Sequence, residues 1–195
     1  MFSSCYLLRY FESAVSTLIS AKNMFANTVL QKFTSSLENL VYGNRMFYSC
    51  NLTSFKSNLN SLKDGTEMFD YCDKLKSFSP NLPSLTNGSS MFYRCSALTT
   101  FSTELSSLTY GDSMFSGCYN LTAFFSDLSS LTNGSSMFYK CTALTDFNSD
   151  LSKLENFDKM FYGCTNLKYF DASLASITKG TDFTEIFDTN IKQKL

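Results

Sequence analysis

Apolar side chains recur along this chain in a unit of 23 residues, separated by Ser, Thr, Asn and charged positions. Each unit opens with Met-Phe and continues with Leu-x-x-Phe and two more aliphatic positions, and all but one place Cys four residues after the Met, with Thr28 as the exception. Two units have 22 residues, because one residue is missing between the Cys position and the next Leu. The units begin at Met1, Met24, Met46, Met68, Met91, Met114, Met137 and Met160. A fixed period of this size predicts a solenoid with one turn per unit.

The recurring positions also predict the strands and the core. A single turn cannot bury its own apolar residues, so like residues must pack over like in neighbouring turns. We expect Leu-x-x-Phe to form a short strand that pairs in parallel with the same segment of the next turn, about 4.8 Å away. The two columns of this strand run from Leu8 to Leu167 and from Phe11 to Phe170.

The remaining positions predict the other side of each turn. Met-Phe-x-x-Cys follows a residue able to cap a helix, such as Ser89, Asp112 or Ser135, which predicts one short helical turn. A Gly column, represented by Gly88, lies three residues before Met and predicts a tight turn with positive φ. Phe157 replaces this Gly in one unit, so we expect the turn before the last Met to differ.

The unit resembles the BspA-like leucine-rich repeats of surface proteins from bacteria and some protists. That family has a 23-residue repeat with Leu-x-x-Leu, a later Gly, and Ala-Phe-x-x-Cys. In one turn of this chain, the residues at the corresponding positions are Leu98, Phe101, Gly111, Met114, Phe115 and Cys118. Met replaces the family's Ala, and the family's Leu-x-Leu-Pro step is missing. The resemblance covers about residues 1–182 and implies adhesion or recognition at a cell surface, or in a secreted protein.

The fold class that follows is an α/β repeat solenoid. We expect the right-handed superhelix of leucine-rich repeats, with a parallel sheet of short strands on one face and short helical turns on the other. Eight stacked repeats occupy residues 1–182. Residues 183–195 are expected to form a degenerate ninth turn or a C-terminal cap, with Phe187 in the Cys position.

Charge and composition exclude several classes of function. The formal net charge is −1 and no basic block occurs, so binding to nucleic acid has no electrostatic support. No apolar stretch approaches the roughly 18 residues of a membrane span, and no signal peptide is visible. Because the chain opens on a repeat phrase without a cap, we expect it to be part of a longer protein or a form without its leader. The exposed first turn is expected to fray or to associate end to end.

The cysteines and acids offer two candidate chemistries. Cysteines stacked about 4.8 Å apart in parallel fit buried free thiols better than disulfides, which need about 3.5–4.5 Å between Cβ atoms. The chain has no His and no Cys-x-x-Cys, so we expect neither a metal site nor a cofactor. A second column contains Asn58, Asn81, Glu104, Asp127 and Asp150. Asp127 and Asp150 could form the carboxylate pair of a glycosidase, but a recurring acid more often lies in a solvated turn, and we expect no enzyme.

The candidate ligand surface consists of the residues on either side of the strand Phe. In the later turns these positions become aromatic or acidic, and the candidate residues are Thr100, Phe125, Asp146, Asn148, Tyr169 and Asp171. An exposed Phe and Tyr among polar groups indicate recognition of a protein or glycan. The alternatives are that these aromatics only support cross-strand packing, or that the chain is a structural spacer or stalk. A second row, Tyr48, Tyr93, Tyr139 and Tyr162, is expected to pack between turns or to form a partner surface.

Overall fold

The computed structural model describes residues 1–173 and Phe187, and it contains one short strand in each repeat unit. We call each unit a coil, numbered from its Met, so that coil 1 begins at Met1 and coil 8 at Met160. The strands are β1 (Tyr10–Phe11), β2 (Lys32–Phe33), β3 (Ser54–Phe55), β4 (Ser77–Phe78), β5 (Thr100–Phe101), β6 (Ala123–Phe124), β7 (Asp146–Asn148) and β8 (Tyr169–Asp171).

The strands pair in parallel and in register, as the repeat spacing predicts. Phe101 pairs with Phe124, Phe124 with Phe147, and Phe147 with Phe170. The pairing divides the strand face into β1–β2, β3–β4 and the four-stranded sheet β5–β8. Among the described residues, no backbone hydrogen bond joins β2 to β3 or β4 to β5. The strand face is therefore continuous in its side chains and interrupted twice in its backbone ladder.

Two columns of phenylalanine rings form the centre of the stack. The Phe after each Met stacks on its equivalent in the next coil, as Phe47 does on Phe69 with ring centroids 5.3 Å apart. The strand Phe forms the second column, with Phe55 and Phe78 centroids 5.8 Å apart. The columns meet edge to face, with 4.8 Å between the Phe55 and Phe69 centroids. Such pairs contribute about 0.5–1.5 kcal/mol each beyond the burial of their surface.

The side of each coil opposite the strands has no helix within the described residues, so the expected helical turn is wrong. Two residues per coil have positive φ, the one before Met and the one before the Cys position. Around Met46 these are Arg45, with φ of 54°, and Ser49, with φ of 55°. A right-handed helix requires negative φ at consecutive residues, so these two positions limit each turn to single hydrogen bonds. The expected cap Ser89 instead donates its N–H to Asn87 Oδ1 at 3.0 Å, in a side-chain-supported turn.

The positive-φ residues direct alternate N–H groups toward the neighbouring coil. Gly43 N–H donates to Asp64 O at 2.8 Å and Phe47 N–H to Met68 O at 2.9 Å, whereas Met46 N–H donates to Gly43 O within its own coil. A left-handed residue costs roughly 1–2 kcal/mol, which the bonds between coils offset. A helix would use its N–H groups internally and leave the coils joined there by side chains alone. Backbone hydrogen bonds therefore join neighbouring coils on the turn side as well as on the strand side.

The Gly column is explained by packing against the next coil and not by the positive φ that we expected. Gly65 does not have a positive φ. A Cβ at this position would lie 2.9 Å from Met91 Sδ of the next coil, which is closer than side-chain carbons approach. The column therefore makes room for the following Met. The turn at Phe157 keeps the hydrogen bond of the other coils, since Met160 N–H donates to Phe157 O at 3.0 Å, but Phe157 is only partly buried whereas the described Gly residues of this column are buried.

The C-terminal segment is described only at Phe187, and the remaining residues of the expected ninth turn or cap lie outside the described part. Phe187 pairs with Phe161 in a parallel bridge, and the two ring centroids are 5.7 Å apart. It also meets Phe170 edge to face at 5.0 Å. The expectation that Phe187 occupies the Cys position is wrong, because its ring extends the column of the Phe that follows Met.

Candidate functional site

The strand face presents two columns of side chains to solvent, one on each side of the buried strand Phe. Side chains alternate across a strand, so burial of Phe124 or Phe147 turns the residues on either side outward. All six candidate residues are exposed: Thr100, Phe125, Asp146, Asn148, Tyr169 and Asp171. The alternation fixes which positions face out, while the side-chain types differ between coils.

The register of β5–β8 brings the candidate residues into two adjacent rows. One row contains Thr100, Ala123, Asp146 and Tyr169, paired in that order. The other row contains Phe125, which follows β6, then Asn148 and Asp171, which pair with each other. Neighbouring members are about 4.8 Å apart, so the six side chains form a single patch. All of them lie on the one four-stranded sheet.

The patch combines large apolar surface with hydrogen-bonding groups. Phe125 is 74% exposed and Tyr169 is 58% exposed. Asp146 Oδ2 accepts a hydrogen bond from Thr145 Oγ1 at 2.6 Å, which fixes the orientation of this carboxylate. An exposed Phe directly after a strand, beside carboxylate and amide groups, offers both a packing surface and oriented acceptors.

The acidic column on the edge of each coil has a structural role. Asp127 Oδ1 accepts the N–H of Ser129 at 2.9 Å, and Asp150 Oδ1 accepts that of Ser152 at 2.8 Å. The hydrogen bond from the Ser152 backbone holds the pKa of Asp150 below its ordinary value. Both side chains are exposed turn-forming carboxylates of equivalent environment, which agrees with a solvated turn position.

The cysteines are free thiols, and all except Cys5 are buried. Each buried thiol donates to the carbonyl of the Phe in the preceding coil, as Cys95 Sγ does to Phe69 O at 3.2 Å. Burial raises the pKa of Cys50 to about 11 and that of Cys95 well above its ordinary value, so these thiols stay protonated and poorly nucleophilic. The sequence suggests small apolar side chains here, but the thiols also link neighbouring coils by hydrogen bonds.

Thr28 shows how this position accepts a residue other than Cys. Its Oγ1 donates to Phe25 O at 2.9 Å and lies 3.3 Å from Cys50 Sγ. A hydroxyl at this position can therefore donate to the Phe carbonyl of its own coil, whereas the thiols donate to the Phe carbonyl of the preceding coil. The shared requirement is a small side chain with a polar hydrogen, which explains Thr at this one place.

On the turn side, the expected packing of tyrosines between coils occurs with an additional member. Tyr139 and Tyr162 stack with centroids 5.6 Å apart. Tyr48 and Tyr93 instead reach each other through Tyr71, at centroid distances of 6.0 and 5.7 Å. Tyr71 has a φ of 58° and lies one residue after the expected column.

Asp70 takes the tyrosine position in coil 4 and is the buried acid that sequence reasoning missed. It is 6% exposed, and none of the described residues hydrogen-bonds to its Oδ1. Burial, followed by the nearby Glu67 carboxylate, raises the pKa of Asp70 to about 7, while Arg45 and Arg94 oppose the shift. The only signal in the sequence is an acid in a column of aromatic and small residues.

The two arginines beside Asp70 are also engaged with the tyrosines. The Arg45 guanidinium lies 4.1 Å from the Tyr48 ring centroid, and its Nε is 3.4 Å from Glu67 Oε2. The Arg94 guanidinium lies 5.3 Å from the Tyr71 centroid. These cation–π contacts occupy the aromatic faces with the chain's own cations.

Neither a metal centre nor a membrane span stands out in the part of the chain that the structure describes. Within residues 1–173 and Phe187, no three His, Cys, Asp or Glu side chains gather as they would around a metal ion. The same residues contain no helix of the length and apolar character that crosses a bilayer.

Comparison with known proteins identifies the repeat. Residues 1–122 and 65–186 match the family model described as the BspA type leucine-rich repeat region, with 6 copies. No curated protein sequence matches the chain. The family match confirms the resemblance carried by Leu98, Phe101 and Cys118 and their equivalents in other coils. The parallel strands, the 23-residue spacing and the family match together place this chain in the BspA-type leucine-rich-repeat family.

Proposed function

We propose that this chain is a non-enzymatic recognition module that binds a protein or glycan through the strand face of coils 5–8, in a protein that is displayed at the cell surface or secreted. BspA-like repeats are typically surface-associated, which supports the location. The observation that carries the binding role is the exposure of Phe125 and Tyr169 among Asp146, Asn148 and Asp171 on one sheet.

The patch suits recognition because its side chains are held by a rigid ladder. β6, β7 and β8 are joined by continuous parallel pairing, so little order has to be imposed on the backbone when a ligand binds. The Phe125 and Tyr169 rings provide flat apolar surfaces for a sugar ring or an apolar side chain. The carboxylate and amide groups between them provide acceptors and donors that orient the ligand.

Surface aromatics that only support cross-strand packing would be covered by their neighbours. Phe125 is 74% exposed, and Asn148, the next residue along the same row, is itself exposed. This exposure favours a ligand surface over the packing alternative. A spacer role makes no use of such a patch.

The proposal is tested by probing a protein and glycan array with the wild-type chain, Phe125→Ala and Tyr169→Ala. We expect each substitution to weaken a true ligand by about tenfold, the size of an interface hot spot. Tyr10→Ala is the matched control, since Tyr10 is 60% exposed at the position in β1 that Tyr169 occupies in β8.

The outcomes separate the alternatives. Loss of binding in Phe125→Ala and Tyr169→Ala but not in Tyr10→Ala supports the patch. Binding that survives both substitutions would overturn it, and an array without hits would favour a spacer. Any glycan that binds is also incubated with the protein and recovered by chromatography, since a cleaved product would contradict a non-enzymatic role.

A further inference from the structure

A pocket opens on the strand face at coils 2 and 3, well away from the patch on β5–β8. Its volume is about 420 Å³, within the range of small-molecule sites. It lies where the backbone ladder is interrupted, since no hydrogen bond joins β2 to β3 among the described residues. The pocket also lies at the junction of coils 2 and 3, the only place on the described strand face where two 22-residue coils adjoin.

The lining of the pocket is cationic. Lys32 and Lys56 contribute amines, and the lining contains no Asp or Glu. Lys32 Nζ lies 3.6 Å from Glu12 Oε1, in an exposed pair of the kind that contributes little. Lys56 has no ion-pair partner within the described residues. The strand face of coils 7 and 8 instead carries Asp146 and Asp171, so the charged residues at the pocket and at the later coils have opposite signs.

The remaining lining is rich in hydrogen-bonding groups. Hydroxyls come from Thr34, Ser36, Ser54 and Ser57. Asn58 Oδ1 accepts the N–H of Asn60 at 2.8 Å, which leaves the Asn58 amide nitrogen as a donor. A ligand that carries both an oxyanion and several hydroxyls would satisfy this set of amines, hydroxyls and amide.

We propose that this pocket binds an acidic sugar unit, with its sulfate or carboxylate group between Lys32 and Lys56 and its hydroxyls against the Ser, Thr and Asn side chains. An acidic peptide fits less well, because its carboxylates would engage the two lysines but it lacks the several hydroxyls that would meet the Ser, Thr and Asn side chains of the lining. The site is independent of the proposed function, since it shares no residue with the Phe125 and Tyr169 patch.

The test titrates the whole chain with a sulfated disaccharide derived from heparin, using calorimetry and amide chemical shifts. The desulfated disaccharide, which keeps its carboxylate, shows which oxyanion is preferred. A neutral disaccharide and a Glu-rich peptide complete the series. We expect binding of one or both acidic sugars, with the largest shifts at the Ser54 and Ser57 amides.

Substitutions at the two lysines test the geometry. We expect Lys56→Gln to weaken binding about fivefold, and Lys32→Gln with Lys56→Gln to weaken it by more than about twentyfold. Lys63→Gln is the control, because Lys63 is an exposed lysine of coil 3 outside the pocket and the change in charge is the same. Thermal unfolding of each variant shows that the fold is retained, as expected for exposed side chains.

Several results would overturn the proposal. These are no binding of either acidic sugar, equal binding of the neutral disaccharide, tighter binding of the Glu-rich peptide, or unchanged affinity in the double variant. An equal loss in Lys63→Gln would show a general charge effect and would overturn it too. Binding of array ligands that depend on Phe125 stays unchanged in the lysine variants, so failure here is distinguishable from failure of the proposed function.

Discussion

On the turn side of the coils, the buried Cys thiols and the buried Asp70 carboxylate differ in their hydrogen bonds. The thiol of Cys95 has a partner in Phe69 O, and the protonated thiol is the form that burial favours. Asp70 is also buried, but no described residue hydrogen-bonds to its Oδ1. Ionisation of Asp70 leaves this buried oxygen charged and without a hydrogen bond, which costs free energy. Asp70 therefore makes the stability depend on pH between its ordinary pKa and its raised pKa.

We expect the free energy of unfolding to fall as pH rises from about 4 to about 7. The pKa of Asp70 is about 7 in the folded chain against an ordinary value of 3.8, so in this window the folded state binds a proton that the unfolded state has released. Asp70→Asn removes the ionised form. Its gain in stability should be smallest below pH 4 and reach about 1–3 kcal/mol above pH 7.

Urea unfolding of both proteins across this pH range measures the effect. Asp73→Asn, at an exposed acid of the same coil, is the control and should leave the pH profile of the wild type unchanged. A stability of Asp70→Asn that falls below wild type at pH 8 would contradict the assignment, as would parallel pH profiles. The charged neighbours Glu67, Arg45 and Arg94 remain in place in every variant.

At the residue scale, the sequence predicts the size and burial of the side chain at each position but not the groups that this side chain contacts. The Cys column, with Thr28 as its exception, shows that the position is small and buried. The bond from Cys95 to Phe69 O depends on the offset between neighbouring coils, which is not encoded within one unit. Asp70 and Tyr71 depart from their columns in a single coil, so periodicity could predict neither the buried acid nor the packing of Tyr71 with Tyr48 and Tyr93.

At the scale of the element, each coil is a strand followed by a chain of single-bond turns. The strand was predictable because the core repeats with it, and burial of Phe101 and its equivalents fixes the face. The absence of a helical turn was not predictable, because hydrogen bonds to the next coil decide between a helix and alternating turns. The need for Gly at position 65 was not predictable from its own coil either. The turn there would accept other residues, but the Met91 side chain of the next coil leaves no room for a Cβ.

We expect Gly65→Ala to destabilise the chain by about 1 kcal/mol or more, because the added Cβ meets the fully buried Met91 side chain in a close-packed core. Met91→Ala alone should cost about 2–5 kcal/mol through the cavity that it leaves. The double variant should cost less than the sum, because the Ala at 65 occupies part of that cavity. A double-mutant cycle by chemical denaturation measures this coupling.

The matched cycle pairs Gly65→Ala with Met114→Ala, which removes the same side chain one coil further on. Since Gly65 lies against Met91 and not Met114, this second cycle should be additive. Additivity in both cycles would show that the Gly column does not exist to admit the Met of the next coil.

At the scale of the whole molecule, the core is uniform and the strand face is not. The two Phe columns continue from Phe2 to Phe187 by ring contacts of similar spacing. On the strand face, the positions that flank the ladder carry Lys32 and Lys56 in the early coils, and Phe125 and Tyr169 in the later ones. The exposed columns were predictable from alternation, and so was the exposure of the six candidate residues. The pocket at coils 2 and 3 was not, because it depends on an interruption of the backbone ladder.

The central claim is that ligands bind the strand face and not the tyrosine row of the turn side. The most direct test measures the affinity of one array ligand for two double variants by calorimetry. One combines Phe125→Ala with Tyr169→Ala, and the other combines Tyr139→Ala with Tyr162→Ala, which removes an aromatic pair stacked on the opposite side. We expect the strand-face variant to lose at least about a hundredfold in affinity and the turn-side variant to stay within about twofold of wild type. A loss confined to the turn-side variant, or an equal loss in both, would contradict the claim.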